Sequence, residues 1–469
     1  MKRLFGSLIL TLIVICAYGQ EIKYEKSLDD ALALSAKNYK PVFICLNIPA
    51  PSLAKLPANV TVRTPFPNGL TSPEVVDLYN KNFNSYQTLF TDSAGARIRS
   101  KYHLTRFPAY IFLDPRGQLL YINNQVAPPT PDNFIAAANL VLDRIGSGRT
   151  ISNYELLYRQ NLITTDKLKD YIALREELMI TDNAALIEKY TQLLSPEAFN
   201  DYNELLFIFK AGPYAYGTAY NLAYTNRKIA DSIYKHEPAA ERTAINNGII
   251  SNTRAEAVKT KNILMAQNAA RFAMGTWGQN VRDGRKAYAS NMVSYYSAIK
   301  DTASFFREAT LFYDTYYMTI SADSAAKLQQ KQLQNMRNTL PGGAIQRPAG
   351  QAGPPPGAMS FTTAVVVPGS SSLQVAGTLN SAAYSFYTFK TLNLAHLNKA
   401  VVWVKRAIEL QSMAAYYDTL AHLLYRLNLY DDAILNENKA IEMAATEPQS
   451  KLAQDRLKTE LEKMKNKQL

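Results

Sequence analysis

The chain has 469 residues, 47% of them hydrophobic and 19% charged, and a formal net charge of +12. This composition excludes general disorder, and the length predicts two to four domains. The positive charge is dispersed. Its densest stretch, 251–290, holds seven Lys and Arg against two acids along helical sequence, which predicts a solvated basic surface and no nucleic-acid partner.

The first element is a leader. Lys2 and Arg3 precede an apolar run from Leu4 to Ile15, and Ala17-Tyr18-Gly19 places small residues before a cut at Gln20. The run is shorter than the ~20 residues of a membrane-spanning helix, and nothing later in the chain is apolar enough to span one. An exported, periplasmic protein is expected, either released or associated with the outer membrane. Ile15 stands where a lipid-attachment motif at Cys16 wants a small residue. Of the two cysteines, Cys16 and Cys45, only Cys45 outlasts the leader, so no internal disulfide is expected.

Residues 20–148 read as alternating helix and strand. Ser27 is placed to cap a helix with Asp29 and Asp30 in its first turn, and Lys40-Pro41 ends it. Val42–Leu46 is a continuous apolar run, the mark of a strand buried on both faces. A second helix opens at Thr71-Ser-Pro-Glu74, with Val75, Val76, Leu78 and Tyr79 as its apolar side. Ala109–Leu113 is a second buried strand. Asp114-Pro-Arg-Gly117 is a tight turn with glycine where positive φ is needed, and Leu119–Ile122 is the returning partner.

The stretch Tyr102–Gly117, with Phe107-Pro108 before the buried strand, resembles the second half of a thioredoxin-fold domain of the exported, envelope-associated kind. The resemblance covers about 120 residues. It implies a cis bond before Pro108 and places the family's redox pair at positions 51 and 54. Here that slot reads Pro51-Ser52-Leu53-Ala54, with Lys55 after it, so the two thiols are missing. Five prolines between Pro49 and Pro67 predict an irregular loop in place of the family's long helix. The family also implies recognition of an extended peptide by the backbone beside the proline, which needs no thiol. Arg106, Phe107 and Pro108 are the candidate binding residues. Cys45, flanked by Ile44 and Leu46, reads as a small apolar core residue.

Residues 149–325 carry long patterns of period 3.6 and no strand signal. Phe305, Phe306, Phe312, Tyr313, Tyr316 and Tyr317 form aromatic stripes that read as core, and Met274–Gly278 reads as a break between helices. Residues 326–378 begin Gln-rich and continue through Pro341-Gly-Gly and Gly353-Pro-Pro-Pro-Gly357, a flexible insert. In 379–469, Ala400 and Ala407 are seven apart, as are Ala433 and Ala440, and the two pairs are offset by 33. With Leu420, Ala421 and Leu424 this resembles the tetratricopeptide repeat; Glu437 stands where that repeat usually has an aromatic. Asp418, which begins one of several Asp-(Ser/Thr)-apolar triplets, reads as a helix cap.

No catalytic cluster or phosphate loop is present, and the four histidines, His103, His236, His396 and His422, lack ligand spacing, so neither metal nor cofactor is expected. The reading is a leader (1–19), an α/β thioredoxin-like domain (20–148), an α-helical domain (149–325), an insert (326–378) and tetratricopeptide-like helices (379–469). The leading expectation is a redox-inactive protein that binds protein or peptide, or serves assembly, in the cell envelope, without enzymatic activity. The alternatives are a thiol-disulfide protein using Cys45 with a partner, and a structural envelope component.

Overall fold

The structure is a computed structural model and describes residues 21–47, 69–123, 130–327, 330, 375–445 and 450–469. The expected leader, the slot Pro51–Ala54 and the insert at 341–372 lie outside the described residues. The chain divides into two compact units between Ile180 and Thr181.

The first unit is built on a five-stranded mixed sheet. Its strands are β1 (Tyr24–Glu25), β2 (Val42–Asn47), β3 (Asn84–Leu89), β4 (Ala109–Leu113) and β5 (Leu119–Asn123), in the order β1-β3-β2-β4-β5. β1 and β2 run parallel to β3, β4 runs antiparallel to β2, and β5 antiparallel to β4. Helices α1 (Leu28–Asn38), α2 (Pro73–Asn82) and α3 (Ser93–Lys101) connect the parallel strands and lead into β4, and α4 (Pro131–Ser147) follows β5.

Local chemistry sets these boundaries. Ser27 accepts a hydrogen bond from the Asp30 amide at 3.0 Å and starts α1, while Tyr39 in the left-handed region ends it. Pro73 occupies the first turn of α2, where its missing N–H costs nothing. Asp114 Oδ1 accepts from the amides of Arg116 and Gln118 at 2.9 Å, and Gly117 takes φ +78°, so the expected turn between β4 and β5 forms. Thr130 and Asn133 close a reciprocal capping box at α4.

Phe43, Cys45, Tyr110 and Phe112 from the sheet pack with Val75, Val76 and Tyr79 of α2 and with Phe134, Ala138 and Val141 of α4. Tyr79 sits edge-on to Phe43 at 4.8 Å and donates its hydroxyl to the Phe134 carbonyl at 3.0 Å. Helices α5 (Ile151–Arg159) and α6 (Thr165–Glu177) complete the unit. They are tied in by arginine: Arg149 pairs with Asp170 and Glu177 at 3.0 Å, and Glu177 also holds Arg144 of α4 at 2.7 Å.

The second unit is helical throughout its described residues, as the period of 149–325 predicts. It comprises α7 (Ala184–Thr191), α8 (Tyr202–Lys210), α9 (Thr218–Ala223), α10 (Arg227–His236), α11 (Ala239–Thr260), α12 (Ile263–Gly275), α13 (Val281–Ile299), α14 (Thr302–Tyr316), α15 (Val375–Thr388), α16 (Leu394–Leu410), α17 (Ala414–Arg426), α18 (Tyr430–Ala444) and α19 (Ser450–Lys465). From α11 to α14 and from α15 to α19 each helix packs on the next. The break at Met274–Gly278 separates α12 from α13, with Gly278 at φ +53°. Phe305, Phe306 and Phe312 are buried, so the aromatic stripes are core. Ala400, Ala407, Ala433 and Ala440 are fully buried where neighbouring helices approach. Asp418 is not a cap: it lies inside α17, whose N-cap is Met413, and its buried carboxylate is paired across to α19. No helix among the described residues is long and apolar enough to cross a membrane.

Candidate functional sites

In the first unit, Cys45 lies in mid-strand opposite Gln87 of β3 and Tyr110 of β4, and is 1% exposed. Its Sγ–H donates to Asn47 Oδ1 at 3.2 Å. Burial pushes the thiol up to about 12, against the opposing effect of the Asn47 bond. At pH 7 the reactive thiolate is then on the order of one molecule in 10⁵. Cys45 is the one cysteine among the described residues.

The loop before β4 distributes the three expected binding residues differently. Arg106 is exposed and Pro108 half-buried. Phe107 is buried and stacks on Phe90 at 4.8 Å. The Phe107–Pro108 bond is cis. Phe107 therefore contributes its ring to packing, and only its backbone and the Arg106 side chain remain for an incoming peptide. β4 pairs with β2 only from Ala109 onward, where Ala109 meets Leu46.

In the second unit a groove of about 670 Å³ opens between α11, α12 and α13. Its lining includes Asn246, Asn247 and Arg254 of α11, Trp277 after α12 and Asn291 of α13. Trp277 is 48% exposed although tryptophan usually seeks burial. Asn246 accepts from the Tyr234 hydroxyl at 3.1 Å, and Asn291 donates to the Ala287 carbonyl at 2.9 Å. Asn291 Oδ1 is buried with no donor among the described residues. The lining thus offers amide donors and acceptors, one guanidinium and one exposed aromatic face. The sequence marked Trp277 only as part of a helix break; the fold places it in one groove with residues of α11 and α13.

A third place was not expected from histidine spacing. Asp418 and His422, one turn apart on α17, meet Glu437 of α18 and Arg456 and Glu460 of α19. Glu437 is wholly buried and neither of its oxygens has a hydrogen-bond donor among the described residues. Burial first, then the Asp418 charge, pushes its carboxyl up to about 8. Burial acts to lower His422, but the Asp418 carboxylate and carbonyl outweigh it and hold the imidazole above its ordinary range. The same imidazole and Arg456 hold Asp418 below its ordinary range in spite of burial. The available signals were the four-residue spacing of Asp418 and His422 and the acid at 437 in place of an aromatic. No protein-family model matches the chain, and no curated protein matches it.

Proposed function

We propose that the chain is an exported envelope protein that binds peptides or protein segments. In this reading its first unit is a thioredoxin-like domain without redox chemistry, and its second is a helical domain ending in tetratricopeptide-like helices. The sheet order and the alternation of α1 to α4 with the strands support the first assignment. The small-residue contacts at Ala400, Ala407, Ala433 and Ala440 support the second. The sealed, protonated Cys45 weighs against the thiol-based alternative.

The observation that carries the binding reading is the groove beside Trp277. An extended peptide presents alternating N–H and C=O groups, and side-chain carboxamides match both. Asn246 and Asn247 line the groove with such groups, Arg254 suits an acidic side chain or terminus, and Trp277 offers a flat apolar contact.

Tryptophan fluorescence tests this directly. The chain has two tryptophans, and Trp403 is fully buried, so a solvent-sensitive signal belongs to Trp277. Short unstructured peptides from an immobilised random library, selected on the full chain, are expected to shift or quench that emission. Trp277→Ala and Asn247→Ala are expected to weaken capture about tenfold each without unfolding the protein. Undiminished capture by both variants would remove the groove from the proposal and return attention to Arg106.

A further inference from the structure

The geometry around His422 is that of a ligand set. His422 Nδ1 lies 2.8 Å from the Asp418 backbone carbonyl. A carbonyl only accepts, so Nδ1 carries the hydrogen and the lone pair of the neutral ring is at Nε2. Nε2 faces Glu460 Oε2 across 3.7 Å, too far for an N–H···O hydrogen bond. Arg456 occupies the other oxygens of the flanking acids, Asp418 Oδ2 at 3.1 Å and Glu460 Oε1 at 3.5 Å. Glu460 Oε2 and both oxygens of Glu437 are buried with no hydrogen-bond donor among the described residues. Asp418 Oδ1 is 3.2 Å from Nδ1, whose hydrogen is committed to the carbonyl. One ligand atom each from Asp418, His422 and Glu460 fall within 4.8 Å of one another.

We infer that this cluster binds a divalent transition-metal ion of the zinc class, through His422 Nε2, Glu460 and Asp418. Several observations converge on this. A nitrogen with carboxylate oxygens suits zinc and its neighbours, whereas magnesium and calcium favour oxygen alone. An ion with bonds of about 2.0–2.2 Å at near-tetrahedral angles sets its ligands roughly 3.3–3.6 Å apart, and the Nε2 to Oε2 gap of 3.7 Å is close to that width. A ligating imidazole is commonly oriented by its other N–H on a backbone carbonyl, as here. Two carboxylates, Asp418 and Glu460, against the one guanidinium of Arg456 leave an uncompensated negative charge, which a divalent ion neutralises. Arg456 then serves as the outer partner that orients two of the ligands. The ion fastens α17 and α19 together without thiols.

The test uses the full-length chain without an affinity tag, stripped with a chelator and titrated with zinc chloride by calorimetry. One ion per chain is expected, and excess magnesium should not compete. Cobalt(II) in its place should give the visible absorption of a four- or five-coordinate ion with nitrogen and oxygen ligands. His422→Gln and Glu460→Gln should each weaken zinc binding at least about tenfold, while a combined His103→Gln, His236→Gln, His396→Gln variant should bind unchanged. If His422→Gln does not fold, Glu460→Gln and the cobalt spectrum of the native chain decide. Absence of saturable zinc binding overturns the inference and leaves the cluster held by protons alone. Binding that survives both single substitutions, or that is lost in the triple variant, overturns it equally.

Discussion

At the scale of single residues, burial governs the titratable groups. Cys45 has only the Asn47 hydrogen bond to set against the cost of charging it among Phe43, Tyr110 and Tyr79, and burial prevails. A thiol reagent such as Ellman's is expected to leave the native protein unlabelled near neutral pH and to label one thiol per mature chain in denaturant. Stoichiometric labelling of the folded chain would show the strand opens. Glu437 gives a signed pH effect. Its folded value near 8 lies above the ordinary 4.5, so the folded state keeps a proton that the unfolded state has lost. The stability this supplies is complete at low pH and declines as pH rises from about 4.5 through about 8. His422, also raised, acts in the same direction above its ordinary 6.5, while Asp418, held low, matters only in acid. Arg456 and Glu460 from α19 and the Tyr387 ring from α15 also face His422 or its acids. In chelator, the native chain should lose stability between about pH 4.5 and pH 8, with a slope of up to about 1.4 kcal/mol per pH unit for each proton held. Glu437→Gln should flatten most of that loss and melt above the native chain at the alkaline end. Parallel pH profiles for the two proteins would refute this.

At the scale of elements, packing is secured by polar groups that the sequence does not advertise. Asn84 begins β3, and its carboxamide exchanges two 3.0 Å hydrogen bonds with Asn38 at the end of α1. Asn84-Ser-Tyr-Gln reads as a polar stretch, yet it forms a strand because its buried amide is satisfied and β1 and β2 flank it on either side. Arg144 of α4 is a second case. Its side chain is 2% exposed, it donates to the Leu120 carbonyl of β5, and its ion partner is Glu177 of α6. Burial lowers its affinity for the proton, and Glu177 counters that. Glu177→Ala removes this partner and one of those of Arg149, and is expected to cost about 1–3 kcal/mol in chemical denaturation. A change below a few tenths would mean that water replaces Glu177 without loss.

At the scale of the whole molecule, the proposed thioredoxin-like reading lacks the pair of thiols that the fold's usual reaction needs. The chain holds two cysteines, Cys16 within the expected leader and Cys45 in the sheet. The mature protein should not reduce insulin disulfides with a dithiol donor above the level of Cys45→Ser; faster turnover than that variant would contradict it. Much of the architecture was legible locally. The apolar runs Val42–Leu46 and Ala109–Leu113, the Asp114–Gly117 turn, the Ser27 cap and the 3.6-period patterns after residue 149 state helix or strand through steric and hydrogen-bonding rules that act over a few residues. The Ala400, Ala407, Ala433 and Ala440 spacing states close helix packing for the same reason. What the sequence left open depends on residues far apart in the chain. The groove needs Asn246, Trp277 and Asn291 brought to one opening, and the His422 cluster needs Glu437 and Glu460 from two later helices. No local rule sets those distances. They follow from how whole helices pack, which is why the sequence by itself determined the elements and the missing thiol pair, and only the tertiary structure decided where the polar groups meet.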